Sequence, residues 1–414
     1  QRQMCIRDRM FILYIFILLI LAFILFFIYC VNWTYKVNKW QNSIGVELPK
    51  KFKRTMQIQR DANGYFCINS QVDGIEKSFI LDTKATSMSR IENLRAMKAD
   101  YWGTYPIPVK NLYGQQERLP LYKLGKLAIC NDLFCNSPLF KGISDSNVLY
   151  SILYKDVLGK DILRHFVWKF SIDDNNLTLL SNVDTLTLKD ETKNYTKIEE
   201  GLNSGVPLQF TSINYQCNFD FDLGFQGCIS INKKIFELLR ENNVFCEKYI
   251  NQRVIGRVDT AYVFEHVNLK IMDLNISNCT LCYYPLIDRN LLGVRFIERF
   301  NFILGYQKKN DTSWQEDLYI QPRNLISGDD EFIFCPKIGF DVNVLGKEVF
   351  VTLLRIDKGG NKLKVGDKVV EINNGEVSIN IDSVASGNVT SYLQHQEKIR
   401  MKIERNGEIL SIDI

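Results

Sequence analysis

Histidine is nearly missing from this 414-residue chain: His165, His266 and His395 are the whole complement, and no two stand at metal-ligand spacing. That excludes zinc hydrolysis of the helical two-histidine type. A surplus of one charge sign is missing as well. The 51 basic and 47 acidic residues are spread along the chain and leave a net charge of +4. Nucleic-acid binding wants a concentrated basic surface, so it is not expected. Charge is absent altogether from Met10 to Cys30 (MFILYIFILLILAFILFFIYC), a run long enough to cross a bilayer. Small residues are absent from its end, Phe27-Ile28-Tyr29-Cys30, which speaks against a cleaved signal peptide and against a lipoprotein cysteine. The run therefore reads as an uncleaved anchor.

The remainder is rich enough to fold. Hydrophobic residues make up 46% and aromatics 12%, so sizeable cores can form and extended disorder is not expected. The length suggests two or three domains. Residues 1–9 follow no pattern and are left out of the fold reasoning as a possible non-native scar. Residues 10–31 form the transmembrane helix and 32–53 a basic connector. Lysines 36 and 39 after the span balance arginines 2, 7 and 9 before it, so charge leaves the orientation open. Eleven cysteines favour an extracytoplasmic soluble part, because disulfides persist in oxidising compartments.

From Met56 the pattern changes to short alternating strands. Phe66 to Ser70 and Lys77 to Leu81 flank Asp73-Gly74, a hairpin signal. Ser89 to Met97 and Asp161 to Phe166 read as short helices. A second hairpin turns at Asp174-Asn175-Asn176. The order then recurs. Phe79-Ile80-Leu81-Asp82-Thr83-Lys84-Ala85 has a counterpart in Phe219-Asp220-Phe221-Asp222-Leu223-Gly224-Phe225, and a helix follows each, the second from Ile231 to Asn242. Leu127 to Cys135 is matched to Leu274-Asn275-Ile276 with Cys279 and Cys282. Asp156 to Leu163 matches Asn290 to Ile297, and an aromatic strand follows each. Two homologous all-β lobes are implied, 54–190 and 191–324. A third unit, 335–414, carries Leu363 to Gly375 with a glycine turn, an alternating strand and an Asn-Gly hairpin turn, and ends in two strands around Asn406-Gly407.

Asp82-Thr83, set after an apolar strand and before a small residue and Ser87, resembles the D-T-G-A-x-S signature of retropepsin-like aspartic peptidases. Val157-Leu158-Gly159 resembles their apolar-apolar-Gly loop, and Asp222-Leu223-Gly224 with Leu291-Leu292-Gly293 resembles a second copy. The resemblance covers roughly residues 56–323. It implies a mainly β, two-lobed pepsin/retropepsin-like β-barrel fold in which each lobe gives one aspartate, Asp82 and Asp222. Such a pair shares a proton, because two adjacent carboxylates resist ionising together (aspartic proteases are a standard example of the effect). A flap hairpin is implied too, with Tyr113-Gly114 as its tip. Two departures stand out. Lys84 occupies a glycine position and puts a cation within reach of the dyad. Leu223 occupies a threonine or serine position and removes one of two buried hydroxyl ties. Impaired activity is the expectation.

The third unit resembles a PDZ domain, a small β-sandwich with short helices. Lys337-Ile338-Gly339-Phe340 stands where that family keeps its carboxylate-binding loop, and Leu363 to Gly375 matches its core pattern. The resemblance implies that N–H groups near Ile338, Gly339 and Phe340 hold a polypeptide C-terminus while the peptide adds a strand to the sheet. Lys362 departs from the usual glycine, and Asp357 to Asn361 lack the usual small apolar residues. A structural module docked on the lobes is the competing reading. Cys130 with Cys135, and Cys279 with Cys282, could form strand-end disulfides or remain buried thiols. No cofactor or metal is expected, and the partners are polypeptides and the membrane, not nucleic acid. Two function classes stay open: a membrane-tethered aspartic endopeptidase, and a non-catalytic peptide-binding scaffold.

Overall fold

The computed structural model describes residues 2–42, 45–47, 49, 51–61, 64–105, 108–110, 116–130, 132–145, 155–181, 185–198, 205–254, 257–309, 314–323, 334–345, 348–356, 362–380, 383–384 and 388–414. The fold is mainly β, with β-barrel elements and one long N-terminal helix. That helix, Arg2–Asn42, contains Met10–Val37, whose most apolar stretch has a mean hydropathy of 3.4 and touches none of the protein interior. It is long and apolar enough to span a membrane. Residues 32–42, expected as a connector, instead prolong the helix. Trp33, Val37 and Trp40 recur at i, i+4 and i+7, one helical face, and pack with Trp102, Leu121 and Leu139. Gly45–Glu47 then pairs with Leu133–Asn136, so the connector is built into the first lobe.

In that lobe Phe66–Val72 and Ile75–Leu81 form the expected hairpin. Asp73 and Gly74 take φ of 47° and 82°, the left-handed pair that a two-residue turn of matching twist requires. Helix Ile91–Ala96 begins two residues later than expected. Ser89 and Arg90 are buried and belong to strand Met88–Arg90, which pairs in parallel with Leu139–Ile143. Strand Asp156–Leu158 threads between, parallel to Ile75–Leu81 and antiparallel to Met88–Arg90.

The second lobe repeats this crossing residue for residue. Leu291–Leu292 lies parallel to Tyr215–Phe221 and antiparallel to Ile229–Ile231, which in turn pairs in parallel with Leu274–Tyr283. Leu158 stands opposite Leu81 and Leu292 opposite Phe221, so each aspartate leaves its strand at the same register. One matched piece needs correcting. Arg257–Ile271 runs unbroken where the first lobe has Pro120–Lys123 and Lys126–Cys130, so Leu274 opens the counterpart of Leu133–Asn136. Cys279 and Cys282 therefore share one strand, whereas Cys130 and Cys135 lie on two. Short alternating strands repeat every two residues, and adjacent ones look alike in sequence. Among the described residues no disulfide links these cysteines. Burial pushes Cys67 and Cys135 up to about 12, which keeps them unreactive.

A six-stranded antiparallel sheet joins the lobes, in the order Thr196–Ile198, Trp314–Pro322, Phe300–Lys308, Val167–Ser171, Asn176–Leu180, Lys53–Gln57. Its two halves come one from each lobe and meet where Trp168 faces Leu304 and Phe170 faces Phe302. The rings of Phe170 and Phe302 stack at 4.3 Å, and the core continues through this contact from one lobe to the other.

The C-terminal unit has its own core of Phe340, Val351, Ile372, Leu393, Met401 and Ile403. Its strands are Phe340–Leu345, Glu348–Arg355, Lys368–Ile372, Arg400–Arg405 and Glu408–Asp413, with helix Asn388–Gln394. Asn374-Gly375 does not make the expected hairpin. Ile372 and Val377 form only an isolated bridge, and Lys368–Ile372 pairs with Arg400–Arg405 instead. The unit is joined to the second lobe by sheet: Tyr249, Ile250 and Asn251 stand opposite Arg355, Leu354 and Leu353. Arg355 also pairs with Glu247 at 2.9 Å.

Candidate active site

The two parallel crossings deliver Asp82 and Asp222 to the junction of the lobes. Each aspartate is pinned by a backbone bond from its own N–H, to the Leu158 carbonyl at 3.0 Å and the Leu292 carbonyl at 2.9 Å. The glycines that follow those leucines permit the crossing. A side chain on Gly159 would stand 2.5 Å from the Ala85 carbonyl oxygen, and one on Gly293 would stand 2.6 Å from that of Phe225. Equivalent bonds lock the loops: Lys160 N–H donates to Ala85 O and Val294 N–H to Phe225 O, both at 2.8 Å.

Both carboxyl groups meet at Gly224. Its N–H donates to Asp222 Oδ1 at 2.9 Å, while a side chain on it would overlap the carboxylate of Asp82 from the other lobe. Asp82 Oδ1 accepts from the N–H groups of Lys84 and Ala85, both at 2.8 Å. The electrostatics follow. Burial raises the pKa of Asp82, opposed by those two bonds and by the Lys84 charge. Burial and then the charge of Asp82 hold Asp222 well above the ordinary carboxylate range. Of the pair, Asp222 is the one built to keep a proton.

The loop ties are asymmetric. Thr83 Oγ1 donates to the Phe221 carbonyl at 2.6 Å and accepts from the Leu223 N–H at 3.2 Å, spanning the lobes. Leu223 returns no such bond, since its side chain is wholly buried in the core. Lys84 does not point at the carboxylates alone: its Nζ pairs with Asp220 across the lobe junction at 2.8 Å. Its backbone avoids the left-handed region, so a side chain is accommodated at this position without strain.

One residue of this neighbourhood was not anticipated. Asp161 is buried and accepts from Ser87 N–H at 2.7 Å and Ser87 Oγ at 3.0 Å, while Gly159 N–H donates to Ser87 Oγ at 3.0 Å. In the second lobe Arg295 stands in its place, and backbone carbonyls of Gly227 and Cys228 take over. The signal was an acid two places after Gly159. Tyr113 and Gly114 lie outside the described residues; the strands beside them, Val109–Lys110 and Gln116–Glu117, pair with one another.

In the C-terminal loop Gly339 has φ of 95° and donates its N–H to the Pro336 carbonyl at 2.9 Å. Ile338 and Phe340 are buried. Lys337 N–H donates to Gln394 Oε1 at 2.9 Å, and Asp341 Oδ1 accepts from Val342 N–H at 2.9 Å and Thr390 Oγ1 at 3.0 Å. The strand Phe340–Leu345 is thereby tied to helix Asn388–Gln394. Among the described residues no cluster of metal-ligating side chains occurs.

No protein-family model matches the chain, and no curated protein matches it. Among solved structures, a retropepsin-like aspartic protease from Rickettsia conorii is similar at 22% identity and a TM-score of 0.23, over 32% of this chain and 97% of that one.

Proposed function

We infer that this chain is a membrane-anchored aspartic endopeptidase of the retropepsin type, slowed by Lys84 and Leu223, with a PDZ-type unit that binds polypeptide C-termini. The observation that carries the reading is the meeting of two carboxyl groups from duplicated loops at Gly224, with Asp222 biased towards its protonated form. In this mechanism Asp82, the acid of the pair whose charge is favoured by the Lys84 and Ala85 N–H donors, takes a proton from a water molecule as that water attacks the scissile carbonyl. Asp222 donates its proton to the carbonyl oxygen, giving a gem-diol; as the C–N bond breaks, the proton gained by Asp82 passes to the leaving nitrogen and a hydroxyl of the gem-diol returns a proton to Asp222.

A second reading has a specific observation behind it. The Lys84–Asp220 pair sits beside the dyad, and Thr83 has no hydroxyl counterpart at Leu223, which fits a cleft that holds peptides as a scaffold does, without cutting them.

Hydrolysis of a peptide library by the full chain in detergent, between acid and neutral pH, separates the two. Cleavage blocked by a transition-state mimic such as pepstatin, and lost in both Asp82→Asn and Asp222→Asn, is expected. Peptide binding without cleavage at any pH favours the scaffold.

A further inference from the structure

The apolar helix does not leave the first lobe free on a tether. Trp33 Nε1 donates to the Thr104 carbonyl at 3.2 Å, and its ring stacks on Trp102 at 5.0 Å. Trp40 Nε1 donates to the Ser137 carbonyl at 3.2 Å. Trp33 lies three residues past Cys30, the last residue of the strongly apolar run, and three before Lys36, the first charge after it, so at 1.5 Å per residue it stands about 5 Å along the axis from each. Strand Asp100–Thr104 is thus fixed at the height where a bilayer's headgroups begin. Its outer surface suits that layer. Tyr101, next to Trp102 in its strand, is 62% exposed, and Tyr35, two residues past Trp33 on the helix, is 51% exposed. Tyrosine and tryptophan concentrate at membrane interfaces because their rings are apolar and their tips polar. Lys36, Lys39 and Lys98 are exposed around them, and Lys123 Nζ lies 3.9 Å from the Trp40 ring. Asp100 adds an acid to the same strand, but the lysines prevail.

We propose that the first lobe is seated on the surface of an anionic bilayer through Tyr101, Trp102, Trp33 and Tyr35, with these lysines meeting the lipid headgroups. Strand Asp100–Thr104 pairs with Pro120–Lys123, and between them the chain forms the hairpin of Val109–Lys110 and Gln116–Glu117. This is the hairpin that would carry the flap. With its base held at the membrane, the cleft takes a polypeptide segment that is itself bound at the bilayer. This last step, the substrate class, rests on the endopeptidase reading; the seat on the lipid does not.

The full chain in nanodiscs containing anionic lipid tests both. Lipids brominated just below the headgroup quench tryptophans at that depth. The fluorescence gained by Tyr101→Trp loses most of its intensity, whereas that gained by Phe245→Trp, at a 79% exposed site on the second lobe, keeps it. Equal, weak quenching of both overturns the proposed seat. The same disc is then given one cleavable peptide, either free or lipid-anchored. Cleavage of the anchored form is expected to be at least about tenfold faster, as its local concentration is raised. Equal rates overturn the substrate class. If neither form is cut, the endopeptidase reading falls, and the quenching result still decides whether the lobe is seated on lipid.

Discussion

The carboxylate of Asp82 rests against the backbone of Gly224, a residue of the opposite lobe whose own N–H holds Asp222. One glycine therefore sets the spacing of the two acids. Gly224→Ala puts a methyl group into the space of the Asp82 carboxylate, which must turn away from its two N–H donors. An error of about 1 Å in such a group costs about 100-fold in rate. We expect a loss of that order in peptide hydrolysis, with the chain still folded by circular dichroism. Unchanged turnover would mean that the two acids do not act together.

Asp222 makes a different prediction, about stability. Its folded pKa is raised, so the folded state favours the protonated form. That contribution to stability is full below the ordinary carboxylate range and is lost as pH rises through the folded value. Asp222→Asn removes the buried charge and should raise Tm at pH 8, by the equivalent of about 1 kcal/mol or more, while leaving Tm at pH 4 almost unchanged. Calorimetric scans at the two pH values check it. A drop in Tm at pH 8 would show that the ionised carboxylate is well solvated.

Much of this was legible in sequence, for identifiable reasons. Duplication made Asp82 and Asp222 stand out, since two loops at one register leave the same apolar-Asp trace twice. Asp73-Gly74 named its own turn. What escaped notice depends on distant partners. Asp161 meets Ser87 across 74 residues, and nothing local marks the bond. Lys84 looked like a cation aimed at the dyad until Asp220, on the other lobe, was seen to share it. Arg355 meets Tyr249 and Glu247 across 106 and 108 residues, by strand pairing and by side-chain bonds, so nothing local in the C-terminal unit marked that it extends the sheet of the second lobe.

Lys84 and Leu223 can now be separated by experiment. The Lys84 charge lowers the pKa of both dyad acids, although burial prevails. Lys84→Met removes it, so both limbs of the pH–rate profile should move to higher pH together. Leu223→Thr acts otherwise: it offers the missing hydroxyl, a bond contributing about 1 kcal/mol if made, and should raise kcat without moving the profile. The double variant Lys84→Gly, Leu223→Thr is expected to be more active than the natural chain. A profile that stays in place for Lys84→Met would mean that Asp220 screens the cation completely.

The C-terminal unit carries its own pH dependence. Burial pushes Asp341 up to about 7, against the bonds it accepts from Val342 and Thr390. The sign is that of Asp222: stability from this group is full below about pH 4 and falls away as pH rises through about 7. The carboxyl lies between strand Phe340–Leu345 and helix Asn388–Gln394, so ionisation loosens that junction. Hydrogen exchange of amides in helix Asn388–Gln394 should therefore speed up between pH 6 and 8 beyond the intrinsic rise, and Asp341→Asn should abolish the excess. Thr390→Val deprives the ionised carboxylate of a donor, which raises its pKa further, so it should move the loosening to higher pH. An excess that survives Asp341→Asn would place the titrating group elsewhere.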